Sequence, residues 1–287
     1  MQIKKIDHID QFLALNEELL LKKESFYNLM LGLAYNIQAN KIKTDSPLFY
    51  SILDQGRAIG CALRSNADKP LIVSEMPSQA ISLLVAELTS TNEDIQAVVG
   101  EEATAGLFKD KWAALNDLDY KIDIHLGVFE CFRVIFPKEI STKMILATDD
   151  HVDILRKYLR GFCEDCFPER IHTDAKIEEL MINHLKNKSA FLLQTAEGEI
   201  VSMAASTRST KTGTTISYVY TPKELRGHGY ASMVVAMISQ QILDSGKKMV
   251  NLFTDLLNPT SNSIYQKIGF IKIGQNIHYE FKKKGPG

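Results

Sequence analysis

The residues best placed to do chemistry form one short run, Arg226-Gly-His-Gly-Tyr-Ala231, between a β-branched segment and an amphipathic one. Two glycines beside a helix start expose consecutive backbone N–H groups, and the helix dipole adds positive potential there. Such a turn suits a pyrophosphate. Gly227 and Gly229 let the backbone come close, and Arg226 can add a charge-assisted contact. His228 lies in the same turn, as well placed for solvent as for a phosphate. The bare pattern R-G-x-G is equally that of a tight turn that happens to hold two glycines. It is not G-x-x-x-x-G-K-[ST], and it lacks the third glycine of G-x-G-x-x-G, so both competing phosphate motifs are set aside. Cys163 and Cys166 form a C-x-x-C, but no second Cys pair or clustered His completes a metal site. One turn apart on a helical segment, they read as small hydrophobes. There is no G-x-S-x-G for a serine hydrolase, and the seven His residues are dispersed.

A strand must deliver this loop and a helix must receive it. Thr214–Thr221 is rich in β-branched and aromatic residues, and Ala231, Val234, Val235, Ile238, Ile242 and Leu243 mark one helical face stopped by Gly246. Val250–Thr254 reads as a buried strand and Ser261–Ile268 as a short helix. Phe270–Ile273 with Ile277–Phe281 reads as a closing hairpin. Upstream, Met144–Ala147 is strand-like, and a helix is expected from about Asp150 to Cys166 on Val152, Leu155, Leu159 and Phe162. Asp174 is a plausible N-cap for a second helix through Ile177, Leu180, Met181, His184 and Leu185. Ala190–Thr195 and Ile200–Ser206 flank the hairpin turn at Glu197-Gly198. The clearest joint is Phe136–Lys143, around Pro137.

An abbreviated version of this plan recurs before the joint. Residues 48–64 lie ungapped on 190–206, with both Phe and both turn Gly in register. Ala105–Trp112 lies on Asn262–Gly269, which sets Phe108 opposite Tyr265. The glycine loop does not recur; Ser74–Ile81 stands in its place.

The chain of 287 residues is 45% hydrophobic and 24% charged, too apolar and too evenly charged for disorder, and long enough for one large domain or two ordinary ones. A net charge of −2 gives no general drive toward nucleic acid or anionic membrane. The basic run Lys282–Lys284 reads as a solvated end. No apolar run approaches a membrane span, and the first residues lack the apolar core of a signal peptide. Four cysteines fit a reducing cytoplasm.

Two separate motifs resemble the GNAT superfamily of acyl-CoA-dependent N-acetyltransferases. That family's loop is Gln or Arg, two residues, Gly, one residue, then Gly or Ala, and Arg226, Gly229 and Ala231 meet it. The family's Asn seven residues before a Tyr, followed by a Lys-x-Gly-Phe-like end, is met by Asn258, Tyr265, Lys267, Gly269 and Phe270. The resemblance covers 144–281 well and 1–136 as a degenerate second copy. It departs from the family at Lys223, where a Pro is usual, and at Phe253, where many members place a catalytic Glu.

The resemblance implies an α/β fold of two tandem GNAT-like domains, 1–136 and 144–281, each a central mixed β-sheet flanked by helices. It implies acetyl-CoA as co-substrate, with no metal, and transfer of an acetyl group to a primary amine on a small molecule or peptide. CoA would contact Val219, Tyr220 and Thr221 along the strand, Arg226 through Ala231 in the loop (including Tyr230), and Asn258. Tyr265 would protonate the departing thiolate. With Glu absent at 253, Asp255 and Glu164 are the candidate carboxylates for taking the amine's proton through water. The rival reading is an acyl-CoA-binding regulatory or scaffolding protein without efficient turnover. A cytoplasmic location without nucleic acid or membrane partners is expected, and a homodimer is left open.

Overall fold

The structure is a computed structural model that describes residues 1–257 and 259–284, without the side chains of residues 259–261. The chain divides into two compact units. The first comprises Met1–Val128, Thr254–Leu257 and the described residues from Ile273 onward. The second comprises Phe129–Phe253 and the described residues of 258–272. The division falls at Val128, where the sequence reading ended a domain at 136. The last strand is counted with the first unit, where the sequence reading carried the second domain to 281.

The first unit begins with β1 (Gln2–Lys5), α1 (Ile9–Leu21), α2 (Asn28–Gln38), β2 (Leu48–Asp54) and β3 (Arg57–Arg64). It continues through β4 (Leu71–Val73), α3 (Ser78–Ser90), β5 (Ala97–Glu101), α4 (Glu102–Asn116) and most of β6 (Leu118–Cys131). Strands β1 to β4 are antiparallel neighbours, while β4 and β5 run parallel across the crossover helix α3. Period-2 alternation splits the buried residues between two faces. Tyr50, Ala62, Leu71 and Val98 pack with Ile81, Leu84, Phe108 and Trp112 of α3 and α4. Phe49, Cys61, Leu63 and Ile72 pack with Phe12, Leu20, Met30 and Leu31 of α1 and α2.

The second unit follows the same element order. It contains β7 (Thr142–Leu146), α5 (Val152–Cys166), α6 (Asp174–Lys186), β8 (Ala190–Thr195) and β9 (Ile200–Ser209). β10 (Gly213–Tyr220), α7 (Tyr230–Asp244), β11 (Met249–Asp255) and α8 (Pro259–Lys267) follow. β7 to β10 are antiparallel neighbours, and β10 and β11 are the parallel pair. Ile216, Val250 and Leu252 pack on α7 and α8, while Leu192 and Met203 pack on Leu155, Leu159, Ile177 and Met181 of α5 and α6. The hairpins β2–β3 and β8–β9 are the two segments that align in sequence.

The expected closing hairpin is not formed. Residues Ile271–Lys283 are one strand, β12, antiparallel to β5 from Asn276 opposite Glu101 to Glu280 opposite Ala97. In the first unit's sheet β12 lies between β5 and β6. Gly274 falls between the two expected arms, but its φ is not in the left-handed region, and a Cβ there would overlap the Phe26 ring. The glycine makes room for an aromatic ring rather than a reversal of the chain.

Gly100 serves the same kind of close approach. A Cβ would lie 2.7 Å from the Val73 carbonyl oxygen and 2.8 Å from Val73 Cγ2, across the pair Val73–Gly100. Gly100→Ala is therefore expected to destabilise the protein by roughly 1–3 kcal/mol. Urea denaturation measures this, and an unchanged midpoint would mean that β4 and β5 can separate freely.

Candidate active site

The parallel ladder between β10 and β11 runs from Gly213–Met249 to Ile216–Leu252 and goes no further, although β10 continues to Tyr220. On its other edge β10 shifts register against β9: Ser217 faces Ala205 and Tyr220 faces Met203, so one residue is extra. Within this bulge Tyr218 adopts φ 53°, rare for a residue with a Cβ. The end of β10 is thus released from its parallel neighbour and locally reshaped. Val219 packs toward α7 and α8, and Tyr220 toward α5, where its ring lies 5.6 Å from that of Tyr158. Thr221 is buried with its hydroxyl 2.9 Å from that of Ser202, which also donates to the Tyr220 carbonyl at 3.0 Å.

Beyond Thr221 the chain makes a short 3₁₀ turn, Lys223–Leu225, and enters the glycine loop. Gly227 and Gly229 have φ 85° and 82°, which only glycine adopts without cost. Gly229 is the N-cap of α7; no side chain caps the helix, and no acidic residue stands in its first turn. The first N–H groups of α7 are therefore left to a ligand or to water, with the positive end of the helix dipole behind them. Space above the loop is open: a Cβ at 227 would meet nothing within 4 Å, and one at 229 would meet Ile140 Cδ1 at 3.9 Å. His228 is exposed, its ring stacked 5.7 Å from that of Tyr230; Tyr230 and Ala231 open the helix, half-buried.

Arg226 has partners of its own. Its Nε donates to the Thr221 carbonyl at 2.9 Å, and its Nη2 donates to Asp165 of α5, which also pairs with Lys223 at 3.0 Å. Partial burial of Asp165 works against its charge. The hydrogen bonds from Arg226 and Lys223 outweigh that and hold the carboxyl below the usual range. Asp165 thus ties the two cations of the loop to α5. Sequence reading missed it, since only the adjacent Glu164 was singled out.

Tyr265 projects from α8 into the core and is 8% exposed, its ring centroid 6.5 Å from Phe129 and 6.1 Å from Phe270. Burial first, and then the charge of Cys166, push its phenol above the ordinary range. Glu164 is exposed on α5. Asp255 is counted with the first unit, where its carboxylate accepts the Leu257 N–H at 2.8 Å. Asn258 lies outside the described residues. Phe253 packs under the Arg208 guanidinium, 5.8 Å from ring centre to cation. Cys163 is buried, and burial pushes its thiol up. Among the described residues no three His, Cys, Asp or Glu come together as metal ligands, and no helix is long and apolar enough to cross a membrane.

The second unit is a mixed sheet with two helices on each face, and the chain shares its fold with solved structures of GNAT-family proteins. A family model described as FR47-like protein matches residues 195–279. No curated protein matches this chain. Among solved structures, the chain is similar to a GNAT-family acetyltransferase from Colwellia psychrerythraea, with TM-score 0.62 and 13% identity over 98% of this chain and 100% of that one. A Drosophila protein gives TM-score 0.64 and 12% identity, over 99% of both chains. A tandem GNAT protein from the clavulanic acid biosynthesis pathway gives TM-score 0.55 and 10% identity over the full length of both.

Proposed function

We propose that this protein is an N-acetyltransferase that moves an acetyl group from acetyl-CoA to a primary amine of a small molecule or peptide, with the chemistry in the second unit. The observation that carries this reading is the uncapped N-terminus of α7 behind Gly227 and Gly229, directly after the end of β10 that has parted from β11. The N–H groups of Gly227–Ala231 would hold the CoA pyrophosphate, and the backbone of Val219–Thr221 would pair with the pantetheine arm. A backbone N–H at that strand end would polarise the thioester carbonyl. Tyr265 would give its proton to the departing sulfur. An alkylamine must first lose a proton from a pKa of about 10, which water would accept, backed by Glu164 of the second unit; Asp255, the other carboxylate expected from the sequence, is counted with the first unit. Asn258 completes the proposed cofactor set. A cytoplasmic location accompanies this reading.

We further read the first unit as a degenerate copy of the second. At its corresponding turn Pro77 precedes α3 with φ −59°, none of Ser74–Ser78 has positive φ, and Met76 is buried against Gly60. Phe108, which lies where the repeat sets Tyr265, has no hydroxyl and is fully buried. One acetyl-CoA per chain is therefore expected at saturation by calorimetry, and two equivalents would overturn the degenerate-copy reading. The second reading, a CoA-responsive binding protein, is favoured by Phe253, an apolar residue where the resemblance expects a catalytic Glu. Thiol release from acetyl-CoA across a panel of amines separates the two: tight binding with no release on any amine would leave the binding protein.

A further inference from the structure

The least expected backbone conformation in the second unit is at Tyr218, and its side chain explains what keeps it there. In an unbroken strand residues 216, 218 and 220 would share a face. Here Ile216 and Val219 both face α7 and α8, while Tyr218 and Tyr220 both face α5 and α6. The extra residue between Ser217 and Tyr220 inverts the alternation, and the positive φ of Tyr218 is where the inversion occurs. A bulky residue holds such a conformation only when its surroundings over-determine it.

Those surroundings are an aromatic seat. The Phe162 ring of α5 lies 5.0 Å from the Tyr218 ring, and the His184 ring of α6 meets it edge-on at 4.8 Å. His184 is 7% exposed and oriented by Ser189, whose hydroxyl lies 2.8 Å from Nδ1. Burial lowers its pKa to about 4, so the ring is neutral when packed among aromatics. Directly before Phe162, Gly161 leaves the space that the Tyr220 hydroxyl occupies; a Cβ there would overlap it.

We infer that Phe162 and His184 are positioning residues: by seating the Tyr218 ring they fix the β10 bulge, and with it the direction of the backbone N–H groups that follow, toward the acyl carbonyl. The inference rests on the acetyltransferase reading. It assigns His184 a role that acts through the Tyr218 ring.

The test is infrared difference spectroscopy of acetyl-CoA labelled with ¹³C at the carbonyl, with calorimetry and thermal melts alongside. In the wild-type complex the thioester carbonyl band is expected to shift to lower frequency than in free acetyl-CoA. His184→Ala and Phe162→Ala should return the band toward its free position while the Kd changes less than about threefold, because the loop supplies most of the affinity. His184→Phe restores an aromatic edge and should restore the shift. Phe162→Leu keeps apolar volume without the ring, and serves if either alanine variant fails to fold; it too should lose the shift. A wild-type band that does not shift, or folded variants that bind and keep it, would overturn the inference. If wild-type protein does not bind acetyl-CoA at all, the acetyltransferase reading itself fails, and calorimetry distinguishes that result.

Discussion

Gly229→Val is expected to weaken acetyl-CoA binding by roughly 100-fold or more while the protein still melts cooperatively near the wild-type temperature. At φ 82° a β-branched side chain is strained, so the turn must move toward negative φ. That movement withdraws the first N–H groups of α7 from the position a pyrophosphate would occupy. Hydrogen bonds to a charged group contribute about 1.5–3 kcal/mol each, so losing two amounts to about 3 kcal/mol or more, near two decades in affinity. The fold should tolerate the change because a Cβ at 229 approaches only Ile140 Cδ1, at 3.9 Å. Calorimetry with acetyl-CoA measures the loss. Unchanged affinity in a folded variant would remove this loop from the cofactor site.

That loop was the most legible part of the molecule in sequence, and the reason is stereochemical. Positive φ at 227 and 229 calls for glycine, so the backbone conformation is written directly into residue identity. The hairpins and helices were legible for a related reason, since each carries its own period of apolar residues. Gly274 shows the limit of the same logic. A glycine demanded by a neighbouring ring looks, in sequence, like a glycine demanded by a turn, and only the position of Phe26 separates them. Contacts between distant segments were not legible either. Arg226 was expected to meet phosphate, but nothing in the loop discloses that Asp165, 61 residues earlier, holds its guanidinium. The bulge at Tyr218 left no signal at all, because tyrosine is an ordinary strand residue and the rings packed on it come from segments far away in the chain. The division at Val128 falls inside the continuous strand β6, where no turn residue marks it; the one local trace is the change of phase in the apolar alternation, with Val128 and Phe129 adjacent.

Tyr265→Phe should lower turnover by about 10²–10⁴-fold and leave acetyl-CoA affinity nearly unchanged, if thiolate departure limits the rate. The ring is held by Phe129 and Phe270 at 6.5 and 6.1 Å, contacts that phenylalanine keeps, so the substitution removes little besides the proton donor. Burial, with the charge of Cys166 second, raises the phenol above its ordinary value of 10. The group therefore stays protonated through neutral and mildly alkaline pH, as a general acid must. The sign follows directly: with the pKa raised, the acid form is lost only at still higher pH, so the wild-type rate should show no decline attributable to this tyrosine up to pH 10. A purely structural hydroxyl makes the opposite pair of predictions. Its loss would cost roughly 1 kcal/mol of stability and leave turnover intact. Steady-state kinetics beside thermal melts distinguish these outcomes, and a destabilised but fully active phenylalanine variant would take Tyr265 out of the mechanism. The same measurement bears on Phe253. With an apolar ring at that position, the amine's proton must leave by water or by a carboxylate elsewhere, so Tyr265→Phe tests the proton given to sulfur separately from the proton taken from the amine.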